Sequence, residues 1–341
     1  MTIDAADGLA ENRLIATAAN GSARYIGRFA PSPSGPLHRG SIVAALASWL
    51  DARAHSGSWL LRIEDIDPPR ERAGAAATIR EQLRLLGLQH DGEVQFQSAH
   101  TSSYEAALER LREAGRVYPC ACSRKEIALA SGRIALATGQ PLHDGDEPAY
   151  PGTCRGGLAP GRSARAWRFR LEAEVVRFDD RALGPQVQCP LRQGGDFVLR
   201  RADGLWAYQL AVVVDDAASG VTDIVRGADL LGSTGRQILL QRALGWPAPR
   251  YLHLPLVVDA NGRKLSKHEG AQAVPIDSPI GELERAADFL GLFTGDLPRS
   301  GKVERWLDAA VTRWRDQFGP GASGVGTLPP SSTASFAAPL R

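Results

Sequence analysis

The sequence predicts an α/β protein: a doubly wound parallel sheet, an inserted irregular subdomain and a short helical C-terminal part. Three observations predict this. Strand and helix patterns alternate over residues 24–114. Regular periodicity lapses from 115 to 165, as expected of an insertion. Strand patterns then return at Ala166–Leu171, Asp196–Arg200 and Leu210–Val214, ahead of a helical pattern at Ser233–Leu244.

In chain order, residues 1–23 carry Gly, Ala, Asn and Ser without steady period and read as a flexible leader. Arg24–Ala30 reads as a short strand, stopped by Pro31-Ser32-Pro33-Ser34-Gly35-Pro36. Ile42, Val43, Leu46, Trp49 and Leu50 then recur at helical spacing. Trp59–Asp65 alternates as a second strand and is closed by Pro68-Pro69. Helices fit Ala75–Leu86 and Ser103–Ala114. The expected divisions are 24–114 and 166–275 as two halves of a catalytic domain, with 115–165 inserted between them. A short helical segment (276–318) and a Gly-, Pro-, Ser- and Ala-rich disordered tail (319–341) follow.

Of the 341 residues, 43% are hydrophobic and 23% charged, which suits a globular chain with a sizeable core. No stretch approaches the ~18 apolar residues of a membrane span. The longest apolar run near the N-terminus, Leu14–Ala19, is too short for a signal-peptide core, so a cytoplasmic enzyme is expected. A net charge of +2 means that any nucleic-acid contact must be a local basic patch. Only four of the 40 basic residues are lysine: Lys125, Lys264, Lys267 and Lys302. Two of these stand three residues apart.

Two elements carry chemistry. The segment Ala30 to Ser41 lies where a strand turns into a helix, and backbone N–H groups of such a helix face the crevice and receive phosphates. His38 at the helix start is placed to donate to a phosphate oxygen, and Gly40 leaves room for a nucleotide. The second element is Lys264-Leu265-Ser266-Lys267-His268, after a turn at Asp259-Ala260-Asn261-Gly262. Paired ammonium groups on a loop neutralise a polyphosphate during its chemistry.

Together, in this order and spacing, the two elements resemble those of the class I aminoacyl-tRNA synthetases. The HIGH element falls at His38-Arg39-Gly40-Ser41 and the KMSKS element at Lys264–His268. Ser41 stands for the second histidine, and Leu265 and His268 for Met and the final Ser. The resemblance implies a Rossmann-type catalytic domain that binds ATP with Mg²⁺ through His38, Gly40, Ser41, Lys264, Ser266 and Lys267. Of these, His38, Lys264 and Lys267 would be catalytic.

The stretches Arg28-Phe29-Ala30-Pro31-Ser32-Pro33-Ser34-Gly35 and Leu61-Arg62-Ile63-Glu64-Asp65-Ile66-Asp67 are similar to the glutamyl branch. In a strand Arg62 and Glu64 share one face, and Glu64 suits a substrate ammonium. Glutamate carries two carboxylates, for which Arg28 and Arg226 are candidate bidentate clamps, with Tyr208 adding a hydroxyl. By resemblance, Phe29, Ala30, Pro31 and Ser32 join this glutamate site. Seventy-four residues follow Lys267, too few for the helical anticodon-binding region of a full glutamyl enzyme. The chain therefore resembles the branch's truncated subfamily. That implies tRNA-independent activation of L-glutamate and its transfer to queuosine at the wobble position of tRNA(Asp), by a monomer. The alternatives are a minimal synthetase charging a tRNA 3′ end and a catalytically silent RNA-binding relative.

Cys120, Cys122 and Cys154 lie in the insertion, and three thiols in 35 residues of a cytoplasmic chain favour one structural Zn²⁺. His143, Asp146 and Tyr150 are available as fourth ligand; the resemblance favours Tyr150. Arg162, Arg165, Arg168 and Arg170, with Arg110, Arg112 and Arg116, are candidate RNA phosphate contacts.

Overall fold

The computed structural model describes residues 24–138, 149–256, 274, 276–292, 302–320, 322 and 328–329. The expected leader, most of the expected tail, the whole Lys264–His268 element, His143 and Asp146 lie outside these residues.

Strands β1 (Ile26–Phe29), β2 (Ser58–Ile63) and β3 (Gln95–Phe96) pair in parallel in that order. A second sheet has the order β7 (Gly184–Gln188), β6 (Val176–Asp180), β10 (Arg250–Leu254), β9 (Asp223–Gly227). In it β6, β10 and β9 run parallel, and β7 closes the far edge as an antiparallel hairpin. The two sheets meet where β1 lies beside β9: Ile26 O accepts from the Thr222 N–H (2.9 Å), and the Ile26 N–H donates to Thr222 Oγ1 (2.9 Å). The chain thus starts mid-sheet and winds outward both ways, which opens a crevice at the carboxyl ends of β1 and β9.

Helix α1 (Arg39–Ala54) runs back from that crevice and is buried on nearly every side, including Leu46, Leu50 and the small residues Ala45, Ala47 and Ala52. Its alanines leave room for two late helices, α8 (Pro279–Phe289) and α9 (Val303–Phe318), to pack against it. Asp51 ties this layer together, accepting from Tyr25 Oη (2.5 Å), Arg181 Nη1 and Nη2 (2.6 and 2.9 Å) and Trp314 Nε1 (2.9 Å). The segment 276–318 therefore completes the core. Helices α2 (Ala75–Leu85), α3 (Thr101–Glu113), α6 (Tyr208–Ala218) and α7 (Leu231–Ala243) complete the wrapping.

Three expectations are corrected. Leu210–Val214 is not a strand but the middle of α6, where a continuous apolar run marks a helix enclosed on all sides. The segment 115–165 is not irregular throughout: it holds β4 (Val117–Cys120) and helix α4 (Arg124–Thr138). Strand β4 is the edge of an antiparallel sheet, β4-β5-β8, whose other strands are β5 (Ala166–Phe169) and β8 (Val198–Arg200), so its Pro119 costs the ladder little. The pairing of β4 with β5 also runs across residue 165. Strands β6, β7, β9 and β10 were not anticipated. Among the described residues no helix is long and apolar enough to cross a membrane.

Candidate active site

The turn after β1 is fixed by its neighbours. Pro31 O accepts from the Glu64 N–H at the end of β2 (3.0 Å), and Pro33 O from the Arg72 N–H (2.9 Å). Gln82 on α2 takes the Leu37 N–H (2.7 Å) and donates to Val274 O (2.9 Å). His38 is the N-cap of α1: its Nδ1 accepts from the Ser41 N–H (3.3 Å). Neutral His38 therefore carries its ring proton on Nε2. Gly40 and Ser41 sit in the first turn of the helix. Phe29 turns into the core and stacks on Trp59 (6.1 Å), whereas Ala30 is half-buried, Pro31 buried and Ser32 exposed.

Arg28, on β1, is 4% exposed and donates through Nε to Asp216 Oδ1 (3.1 Å). Its terminal amino groups make no hydrogen bond among the described residues. Arg62, on β2, is fully buried and gives Nη1 to the same Asp216 oxygen (2.7 Å). Its Nη2 lies 3.7 Å from Glu64 Oε1 and its Nε 3.8 Å from Asp215 Oδ2. Asp215 also accepts from Gln97 Nε2 (2.7 Å) and Tyr104 Oη (2.8 Å) and pairs with His100 Nδ1 (2.7 Å). Burial pushes Asp216 up, but Arg28 and Arg62 more than reverse this and hold it below its ordinary value. For Glu64 burial wins over Arg62 and Arg28, with Asp216 and Asp215 reinforcing it, and its pKa rises to about 7.

Arg226, on β9, is 5% exposed. Its Nε donates to His253 Nε2 (3.2 Å), Nη1 to Gln237 Oε1 (2.8 Å) and Nη2 to Thr234 Oγ1 (2.8 Å). Tyr208 opens α6, and burial raises its phenol pKa within the fields of Arg226, Glu64 and Arg28. Arg28, Glu64, Tyr208 and Arg226, far apart in sequence, thus share one electrostatic environment. Sequence reasoning missed the residues behind them: Asp215, Asp216, Gln237, His253 and Asp180. Two adjacent acids ending an apolar run at Asp215-Asp216 were the readable clue.

In the inserted part, the sulfurs of Cys120, Cys122 and Cys154 lie within 4.8 Å of one another. Tyr150 Oη stands 3.5 Å from Cys120 Sγ and 4.0 Å from Cys122 Sγ, and accepts from the Cys154 N–H (2.9 Å). A tetrahedral ion with bonds of about 2.3 Å sets its sulfurs about 3.8 Å apart; those of Cys122 and Cys154 are 3.5 Å apart. The three sulfurs are thus grouped closely enough to hold a metal ion, with the Tyr150 phenol oxygen beside them. Arg168 is not a surface phosphate contact: it is buried, donates to Cys120 Sγ (3.3 Å) and lies over the Tyr150 ring (3.7 Å). Arg162, Arg112 and Arg116 are ion-paired with Glu126, Glu109 and Glu172, and Arg170 bonds to Arg155 O. Arg110 and Arg165 stay exposed without an ion-pair partner among the described residues.

The family described as tRNA synthetases class I (E and Q), catalytic domain, matches residues 26–282. A relative from Bordetella bronchiseptica named glutamyl-Q tRNA(Asp) synthetase is 55% identical over 297 residues, 86% of this chain and 90% of its own. One of the same name from Burkholderia cenocepacia is 56% identical over 302 residues, 87% and 98% of the two chains. Among solved structures, a glutamate tRNA ligase from Elizabethkingia meningosepticum, in complex with its amino acid, is similar at a TM-score of 0.68 and 25% identity. That match covers 83% of this chain but 64% of the ligase, so this chain spans less than two thirds of the solved enzyme. The chain belongs to the class I tRNA synthetases of the E and Q group and, within it, to the glutamyl-Q tRNA(Asp) synthetase family.

Proposed function

We propose that the protein activates L-glutamate with ATP, without tRNA, and transfers the glutamyl group to queuosine at the wobble position of tRNA(Asp) in the cytoplasm. One observation carries this reading: two buried arginines, a tyrosine and a carboxylate are grouped together, donors for a dicarboxylate and an acceptor for its ammonium. Arg28, whose terminal amino groups make no hydrogen bond among the described residues, takes one carboxylate bidentately. Arg226 retains one N–H on Nη1 for the other, where Tyr208 adds its hydroxyl. Glu64 receives the ammonium. The backbone of Phe29 to Ser32 closes the site on the side of β1.

An α-carboxylate oxygen then attacks the α-phosphorus of ATP in line, forming the mixed anhydride and expelling pyrophosphate. His38, Lys264 and Lys267 supply positive charge or a donated proton where charge develops on the phosphates. Gly40, Ser41 and Ser266 border the nucleotide. Mg²⁺ neutralises phosphate charge when bound. A queuosine hydroxyl next attacks the anhydride carbonyl; its proton is released, AMP leaves and an ester forms. One structural Zn²⁺, held by Cys120, Cys122, Tyr150 and Cys154, would fix the inserted subdomain between the two catalytic halves.

The test is to incubate the protein with ATP, labelled glutamate and queuosine-containing tRNA(Asp), then cleave the RNA. Label in the anticodon fragment is the expected result. Label at the 3′-terminal adenosine would make it a minimal synthetase. No glutamate-dependent ATP–pyrophosphate exchange at all would make it catalytically silent.

A further inference from the structure

Behind Arg226 lies a buried pair that the reaction itself does not use. His253, on β10, is fully buried. Its Nδ1 lies 2.6 Å from Asp180 Oδ2, and its Nε2 lies 3.2 Å from Arg226 Nε and from Thr234 Oγ1. A guanidinium nitrogen only donates, so Nε2 accepts and the ring proton sits on Nδ1, given to Asp180. Asp180 is itself pinned, accepting from the backbone N–H groups of Ala182 (3.0 Å), Leu183 (2.9 Å) and His253 (3.1 Å).

We propose that Asp180 and His253 are positioning residues for Arg226, fixing its guanidinium in rotation while leaving its positive charge to the substrate. This inference rests on the reading of Arg226 as a glutamate clamp. The chemistry of the anchor is what carries it. A carboxylate placed directly against Arg226 would lock it equally well but compete with a substrate carboxylate for the same charge. An imidazole instead offers a neutral acceptor and sets the anion back by the width of one ring. Only the Nδ1–H tautomer does this, and Asp180 selects that tautomer. Burial, together with Arg226, keeps the His253 pKa below its ordinary value against the pull of Asp180, so the ring stays neutral at physiological pH. Gln237 and Thr234 complete the frame, and the N–H left over on Nη1 is aimed by the other bonds.

The pair acts on glutamate binding and not on ATP, which separates it from a merely structural role. In ATP–pyrophosphate exchange on the full chain, His253→Phe is expected to raise the glutamate KM about tenfold, as for loss of one hydrogen bond to a charged group. The ATP KM should stay within about twofold. His253→Gln, whose amide oxygen can accept from Arg226 while its NH₂ donates to Asp180, should restore most of the glutamate affinity. Nitrogen-15 NMR of histidine-labelled wild-type protein should show His253 as the neutral Nδ1–H tautomer, a reading that needs no variant to fold. An Nε2–H tautomer, an unchanged glutamate KM in His253→Phe, or equal rises in both KM values would overturn the proposal. Arg226→Ala is the control. If it raises the glutamate KM while His253→Phe does not, this inference alone fails. If Arg226→Ala leaves the glutamate KM unchanged, the clamp reading fails first.

Discussion

Arg28 and Arg226 reach the same crevice from neighbouring strands, yet they are held in opposite ways. Arg28 is anchored at Nε by an anion, Asp216, which it shares with Arg62, and its terminal amino groups make no hydrogen bond among the described residues. Arg226 is anchored at Nε by a neutral ring, and its terminal nitrogens already serve Gln237 and Thr234. The first arrangement concentrates charge: two guanidinium groups face one carboxylate. The second concentrates geometry, with one N–H left in a fixed direction. The difference teaches how a buried site divides labour between affinity and register when its ligand carries two like charges.

The largest effect should come from breaking the charged arm. Arg28→Ala removes a bidentate contact and leaves Asp216 with one cation where it had two. Glutamate-dependent exchange should fall about a thousandfold in kcat/KM, and stability should drop by roughly 3 kcal/mol, as when one partner of a buried ion pair is lost. Arg226→Ala should cost activity about a hundredfold, since a single charge-assisted bond is lost. It should cost less stability, because the acceptors it strands, on His253, Gln237 and Thr234, are neutral. Exchange kinetics and thermal melts of the two variants decide this. Equal losses of stability would erase the distinction between the arms.

How far these arms were legible in the sequence differs residue by residue. Arg28, Glu64, Tyr208 and Arg226 were named through resemblance to a family, because no period or spacing in the chain connects four positions on different elements. Arg62 was placed on the face of Glu64 by strand alternation, which is a property of β2 alone. Asp216 left only the clue of two adjacent acids ending an apolar run, and His253 left none, since a buried ion or hydrogen-bond network leaves no periodic trace. Helices α2 and α3 were readable because each has one apolar side. Helix α6 was misread because it has none: Leu210–Val214 is buried all round, and an apolar run of five looks the same in a core strand. Helix α4 was missed, although Ser123 and Glu126 exchange side-chain and backbone bonds (2.6 and 3.2 Å) in a capping box, a local signal that periodicity does not register.

Glu64 sharpens the comparison through pH. Counting only the arginines and aspartates of its arm, Arg28 and Arg62 balance Asp215 and Asp216, so an ionised Glu64 adds an unmatched buried charge. Burial accordingly raises its pKa to about 7. The raised value makes the protonated form the more stable native species. Stability from this group is full below its unfolded pKa and is lost as pH rises toward about 7. Binding runs the other way, because the ammonium of glutamate favours the carboxylate. Calorimetry in buffers of different ionisation enthalpy should therefore show proton release on glutamate binding at pH 6 and almost none at pH 8.5. The glutamate kcat/KM should rise about tenfold from pH 6 to pH 8. Glu64→Gln should flatten both profiles, and a proton release that survives in that variant would assign the titration elsewhere.

On activation itself, the smallest effect should come from the cysteine element, because it touches the arms only at second hand. Gly194 and Gly195 close helix α5 (Pro190–Gly194) against it, and the Tyr150 N–H donates to Gly194 O (3.0 Å). Gly195 has a φ of +69°, and a Cβ there would stand 2.2 Å from Tyr150 O; at Gly194 a Cβ would meet the guanidinium of Arg236 on α7. Helix α7 carries Thr234 and Gln237, so a path of direct packing joins the thiols to the geometric arm and bypasses Asp216. Chelation, or Cys154→Ser, should thus lower the melting temperature and release about one zinc per chain, a readout independent of activity. Exchange should weaken by no more than about threefold, and through the glutamate KM rather than the ATP KM, as a slackened Arg226 requires. If exchange collapsed instead, the cysteine element would belong to the charged arm's fold as well, and the division between the two arms would not extend beyond the crevice.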